Sequence, residues 1–261
     1  MDWLERWLQT EWPELKVYLT SVTDQWSTIS INGPNSRKVL SKLCSDIDLS
    51  NESFPFMSFK SGIVSGVKAR IFRVSFAGEL SYEINVHSEF ATALWESIMD
   101  AGKEFGITPY GTEAMHVLRA EKGYVIVGQD TDGSVTPIDL GYGKMLSKTK
   151  DFLGKRSLDR KEMVRNNRKQ FVGLIPVMSS EKIPEGAQIV ESLSNSSIMI
   201  GHVTSSYFSP TLDKNIALSL IESGRTRKGE YVYAIDTKGG SVKVEIVSPV
   251  FYDLEGYRQN V

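Results

Sequence analysis

Residues 199–221 read MIGHVTSSYFSPTLDKNIALSLI. Two strand-like runs stand in this stretch, 199–205 and 216–221, each dominated by apolar and β-branched side chains. Four more runs of the same kind lie around them, at 171–175, 188–190, 231–235 and 242–247. Lys238-Gly239-Gly240 punctuates the last pair as a turn. Six short strands at regular spacing predict a small all-β barrel or sandwich from about residue 166 onward.

Upstream the pattern changes. Trp3, Leu4, Trp7 and Leu8 fall at helical spacing, and Pro13 ends that helix. Residues 17–22 (VYLTSV) and 26–31 (WSTISI) read as strands. Asn32-Gly33-Pro34-Asn35-Ser36 is a turn and a cap, and 37–43 continues as a helix. Further strands are predicted at 57–64, 67–76 and 80–86. A helix follows, capped by Ser88 and running to Ala101, with Phe90, Leu94, Trp95 and Ile98 inward. A second helix over 111–122 is stopped by Gly123, and 125–153 is glycine-rich and irregular. The charged stretch 155–167 is expected to be helical. Short strands alternating with helices give an α+β class. Two domains are expected, 1–165 and 166–261.

The chain has 261 residues, 30 basic and 32 acidic side chains, and a formal net charge of -2. No basic surplus exists for phosphate contacts, so nucleic acid is not an expected partner. A single cysteine, Cys44, excludes an internal disulfide framework and is expected to be buried on its helix. Three histidines, His87, His116 and His202, lie far apart and offer little for a metal centre, so no metal is expected. No apolar run is long enough to span a membrane, and charges interrupt the N-terminal apolar residues, as a signal peptide would not allow. A cytoplasmic location is the expectation.

One segment points to ligand chemistry. In Phe76-Ala77-Gly78-Glu79-Leu80-Ser81-Tyr82-Glu83 a glycine breaks the strand, a glutamate follows at once, and aromatics stand on both sides. Glycine allows a bend and close backbone approach to a ligand. A carboxylate beside a flat apolar wall suits a planar heterocycle with two adjacent N–H donors, which it accepts in bidentate fashion. A hairpin carrying a surface glutamate accounts for the same residues. Arg119 and Glu121 suit a helix-borne ion pair with a supporting role. Tyr207 and Tyr252 either line a cavity or pack the barrel. No phosphate loop, nucleophile elbow or triad signature is present, so no catalytic residue is singled out.

This segment resembles the motif of the aminomethyltransferase family, the glycine-cleavage T-protein and its relatives. The resemblance extends to Leu118-Arg119-Ala120-Glu121-Lys122-Gly123, to Thr136-Pro137 and to Gly154-Lys155-Arg156-Ser157-Leu158. It continues through Gly201-His202-Val203-Thr204-Ser205, Ser209-Pro210-Thr211-Leu212 and Ile216-Ala217-Leu218. Trp7–Pro13, Val127-Gly128-Gln129-Asp130-Thr131-Asp132-Gly133 and Val247–Asp253 are similar to the sarcosine oxidase α-subunit branch in particular. The chain departs from the pattern at Ala77, Ser81 and Lys144, where the family carries threonine, glycine and an aromatic.

The resemblance implies a folate-binding domain, incomplete at its N-terminus, followed by a small C-terminal β-barrel. Tetrahydrofolate is the implied cofactor, with Glu79 anchoring the pterin and Phe76, Tyr82, Arg119, Tyr207 and Tyr252 around the folate. The implied activity is capture of a methyl-derived one-carbon unit to give 5,10-methylenetetrahydrofolate. The implied partners are a sarcosine oxidase-like flavin subunit, which holds the FAD, and the missing upstream half of the folate module. The chain alone is not expected to be a competent transferase. A folate-binding or structural module without transfer, and a demethylase for another methylated substrate, are the alternatives.

Overall fold

Period-two alternation carries Trp26–Asn32 (β1), Ser58–Val64 (β2), Val67–Arg73 (β3) and Ser81–His87 (β4) into one antiparallel sheet of order β1-β4-β3-β2. The computed structural model describes residues 1–261. Ser65-Gly66 turns β2 directly into β3, so Val64 faces Val67 and Phe59 faces Phe72 across the ladder. Asp2–Thr10 forms the first helix (α1). Two more, Ser36–Leu43 (α2) and Ala91–Gly102 (α3), pack against each other and against β4 and β1 respectively. Val39, Leu40, Leu94 and Ile98 from the helices meet Ile31, Ile71, Ile84 and Val86 from the strands in one core. Cys44 is buried at the edge of that core, and burial together with Asp46 pushes its thiol above the ordinary range.

The second core lies inside a closed antiparallel barrel. Its strands are Lys169–Pro176 (β5), Gln188–Val190 (β6), Met199–Ser209 (β7), Lys214–Glu222 (β8), Tyr231–Ile235 (β9) and Ser241–Val247 (β10), in the order β10-β5-β8-β7-β6-β9. Closure leaves no sheet edge unpaired. Val172, Leu174, Ile189, Val203, Ile221, Val232 and Ile246 fill the interior. The opposite side chains of β5 and β8, Phe171, Ile216, Leu218 and Leu220, cluster with Ala120 outside the barrel. Ala120 lies on the helix Thr112–Glu121 (α4), which packs on β7 and β8.

The chain folds as two compact units. The first comprises 1–75, 79–108 and 259–261; the second comprises 76–78 and 109–258. In the first, the C-terminus is drawn in by Arg73, a fully buried guanidinium that donates to Phe54 O (2.5 Å), Gln259 O (2.9 Å) and Asn260 Oδ1 (3.1 Å). The fold is α+β and ends in a barrel rather than a sandwich. No helix is long and apolar enough to cross a membrane.

Several local expectations are corrected. Residues 17–22 form no strand. Val17, Tyr18 and Val22 are exposed, Tyr18 to 94%, so their β-propensity has no ladder partner and no core to act on. Strand β3 stops at Arg73, three residues early. Ser88 does not cap α3; its hydroxyl donates to Asp24 O (2.9 Å), and a 3-10 turn leads into the helix. Phe90 and Trp95 are 37% and 45% exposed, because only the Leu94 and Ile98 stripe meets the sheet. The stretch 155–167 holds one 3-10 turn, Lys155–Asp159, and no α-helix. It has charge without an apolar stripe to bury, and packing of such a stripe is what stabilises short helices.

Candidate functional site

The α4 helix, Thr112–Glu121, organises the second unit. Arg119 and Glu121 are two positions apart, about 200° around an α-helix. They therefore cannot face each other, and the expected pair between them does not form. Each instead reaches a different strand residue.

Arg119 is fully buried, and its counter-ion is Asp130. Nη1 donates to Asp130 Oδ2 (2.5 Å) and to Tyr124 O (3.0 Å); Nη2 donates to Ser205 Oγ (2.7 Å). Asp130 also accepts Ile126 N at Oδ2 (2.9 Å), and Thr204 Oγ1 (2.5 Å) and Ser205 Oγ (2.7 Å) at Oδ1. Adjacent strand residues normally point to opposite faces. Here the β7–β8 register shifts between Val203 and Ser205, leaving Thr204 as the extra residue. That bulge turns both hydroxyls toward one carboxylate. A buried ion costs several kcal/mol of desolvation unless its polar atoms are satisfied, and this set meets that need for the carboxylate.

Glu121 accepts Ser209 Oγ (2.6 Å), whose oxygen in turn accepts Leu212 N (3.0 Å). The backbone carbonyl of Glu121 takes Phe251 N (2.9 Å) and Tyr252 N (3.1 Å). Lys122 donates to Asp253 O and to Asp253 Oδ2 (3.2 Å). Gly123 has φ +66, and a Cβ there would lie 2.7 Å from Pro249 C. The end of α4 is thus bonded to the last residue of β7 and to the segment following β10.

The predicted site residues separate into groups. Arg119 and Tyr207 are together: Nη2 lies 3.4 Å from the Tyr207 hydroxyl, and the guanidinium sits 5.7 Å from the ring centre. The His116 ring lies 6.5 Å from that of Tyr207, centre to centre, and is tilted to it by 54°. Phe76 stacks on Tyr124, centres 6.2 Å apart and planes at 18°. Tyr252 has its ring under the Arg258 guanidinium at 5.5 Å. In the first unit, Tyr82 is fully buried, its hydroxyl accepting Arg37 Nε (3.2 Å) and its ring 5.9 Å from Phe54. Glu79 is half-buried and follows Gly78 directly. Lys144 is exposed. Asp130, Thr204 and Asp253 stand within the family-like motifs, but no local pattern shows which residues they bond, because their partners stand 11, 74 and 131 residues away.

His202, on β7, lines a different cavity of about 180 Å³ with Asp132, Arg168, Lys169 and Glu222. Burial, reinforced by the Lys169 charge, holds its imidazole below the ordinary value. Arg168 in that wall is committed to Asp139, donating from Nε (2.9 Å) and Nη2 (2.6 Å).

The family model described as the GCVT N-terminal domain matches residues 1–150. The chain belongs to the glycine-cleavage T-protein (aminomethyltransferase) family. The model of the T-protein C-terminal barrel domain matches residues 169–253, which contain all six barrel strands. All of this T-protein relative aligns with the sarcosine oxidase subunit alpha of Corynebacterium sp. (strain U-96), 49% identical over 265 residues. The same subunit of Rhizobium meliloti (strain 1021) is 38% identical over 270 residues. The chain spans 27% of the length of each of these subunits. The aminomethyltransferase of Caldanaerobacter subterraneus subsp. tengcongensis is 33% identical over 95% of the chain and 64% of that protein. The crystal structure of aminomethyltransferase T from Bartonella henselae shares the fold, with a TM-score of 0.70 at 24% identity, over 87% of this chain and 59% of that one.

Proposed function

We propose that this chain is a folate-binding one-carbon-transfer module that works as part of a sarcosine oxidase-like enzyme. Its task is to bind tetrahydrofolate so that a methyl-derived carbon is captured as 5,10-methylenetetrahydrofolate. The observation that carries the reading is alignment of the entire chain with sarcosine oxidase α subunits at 49% identity. The matched part is 27% of that subunit. In this reading the oxidative half and its FAD belong to a partner flavin subunit. For transfer, as distinct from binding, the reading counts the upstream half of the folate module as a second partner.

The residues present fit a pterin. Glu79 supplies a half-buried carboxylate directly after a glycine at φ +81, and Phe76, two residues before that glycine, is stacked on Tyr124. A carboxylate accepts two parallel N–H donors. Tyr82 and Arg119 fit a supporting role in this reading, since both are fully buried and bonded within the protein. Tyr207 and Tyr252 complete the folate contacts proposed for the second unit. Positioning and exclusion of water, rather than proton transfer by this chain, is the contribution.

A second reading, a folate-binding or structural module without transfer, is favoured by Ala77 and Ser81, both buried where the family carries threonine and glycine. Calorimetric titration of the 261-residue chain with tetrahydrofolate, for the wild type and Glu79→Gln, tests the site. Binding that is lost in the variant is the expected result. Equal binding by the two proteins removes Glu79 as the anchor. Co-expression with a flavin subunit, then assay of sarcosine-dependent methylenetetrahydrofolate formation, separates the transfer reading from the second.

A further inference from the structure

We infer that Lys122, tethered by Asp253, is a positioning residue that clamps Gly78 and so fixes where Glu79 begins; the ligand consequence rests on the folate reading above. Lys122 is 5% exposed. A buried ammonium is costly and persists where its partners and its place both matter. Its stem runs directly over Gly78: a Cβ at that glycine would collide with Lys122 Cγ and lie 2.6 Å from Cδ. Its Nζ reaches past the glycine to Asp253 O and Asp253 Oδ2 (3.2 Å).

Both ends of this bar are held independently of it. At one end, Lys122 N donates to Leu118 O (3.4 Å) and continues α4, whose Arg119 and Glu121 are bonded to β7 residues. At the other end, Asp253 Oδ1 accepts Tyr257 N (3.0 Å) and Oδ2 accepts Arg258 N (3.3 Å), while Phe251 N and Tyr252 N are bonded to Glu121 O. Asp253 adopts φ +49, a left-handed conformation that these bonds maintain. Phe76 is held two residues earlier by the Tyr124 ring. The segment 76–78 is therefore pinned at both ends, and the next residue in the chain is the proposed pterin anchor. Glycine at 78 is required twice over, by φ +81 and by the passage of the lysine stem.

Two variants of the full chain grade the clamp. Lys122→Met keeps the stem and removes the tether; Lys122→Ala removes both. Amide hydrogen exchange followed by mass spectrometry reads residues 76–80, with α4 as the internal reference. Tetrahydrofolate titration of the folded proteins reads the consequence, which a merely structural role would leave unmoved. Expected are faster exchange at 76–80 in both variants and affinity weakened in the order wild type, Met, Ala, by roughly tenfold or more for Ala, the scale on which supporting groups act on those they hold. Unchanged exchange in both variants overturns the clamp whatever folate does. Faster exchange with unchanged affinity, while Glu79→Gln abolishes binding, overturns its role toward the ligand. Equal binding by wild type and Glu79→Gln fails the folate reading instead, and exchange alone then decides the clamp.

Discussion

Replacing Asp130 by alanine strikes the point where the second unit concentrates its polar bonds. The carboxylate accepts Arg119 Nη1 (2.5 Å), Ile126 N (2.9 Å), Thr204 Oγ1 (2.5 Å) and Ser205 Oγ (2.7 Å), with both charged side chains fully buried. Removing one member of a buried pair costs about 3–5 kcal/mol, because the other charge stays buried and uncompensated. Each hydroxyl or amide left without an acceptor adds about 1–3 kcal/mol. Arg119 retains Tyr124 O and Ser205 Oγ, so relaxation recovers part of this. A loss of at least about 3 kcal/mol follows, a large share of the roughly 5–15 kcal/mol typical of a folded domain. Urea unfolding followed by circular dichroism measures it from the shift in midpoint at constant slope. The partner experiment is Arg119→Met in the Asp130→Ala background, with Arg119→Met alone completing the cycle. With both charges gone, the double variant is expected to lose less than the sum of the two single losses. A loss below about 1 kcal/mol for Asp130→Ala, the range of an exposed pair, refutes the assignment of this network as the second unit's buried anchor. Strict additivity of the two substitutions does the same.

Gly173→Ala should destabilise by about 1–3 kcal/mol through overpacking, because a Cβ on β5 would stand 2.7 Å from Phe251 Cζ and collide with Ser248 O; an unchanged melting temperature contradicts that packing. Burial pushes the Asp139 carboxyl up, but Arg168 and the Thr136 amide and hydroxyl outweigh burial and hold it below the ordinary range. A carboxyl depressed in the folded state contributes stability above its unfolded pKa of about 3.9 and loses it as pH falls through the folded value. Wild-type stability should therefore fall more steeply below about pH 4 than that of Asp139→Asn. Parallel pH profiles of the urea midpoint count against it.

The barrel was legible in sequence because each of its strands keeps apolar side chains on an inward face, and all six predicted runs lie within observed strands. Predicted helices survived where an apolar stripe existed, as at Leu94 and Ile98, and failed at 155–167, where none does. Propensity alone misled at 17–22, since a strand is made by its ladder partner and not by its own residues. Sequence proximity pairs Arg119 with Glu121, two residues along, whereas its counter-ion is Asp130.

Local pattern determined the α+β class, the six-stranded C-terminal region and the Gly78-Glu79 segment, because periodicity and turn chemistry act over a few residues. The tertiary structure decided which charges meet. Asp130 finds Thr204 through a β-bulge, Glu121 finds Ser209 across 88 residues, and Lys122 finds Asp253 across 131. Such pairs form only after strands and helices are packed. Low dielectric and exclusion of water then make each buried charge depend on a partner that no short stretch of sequence contains.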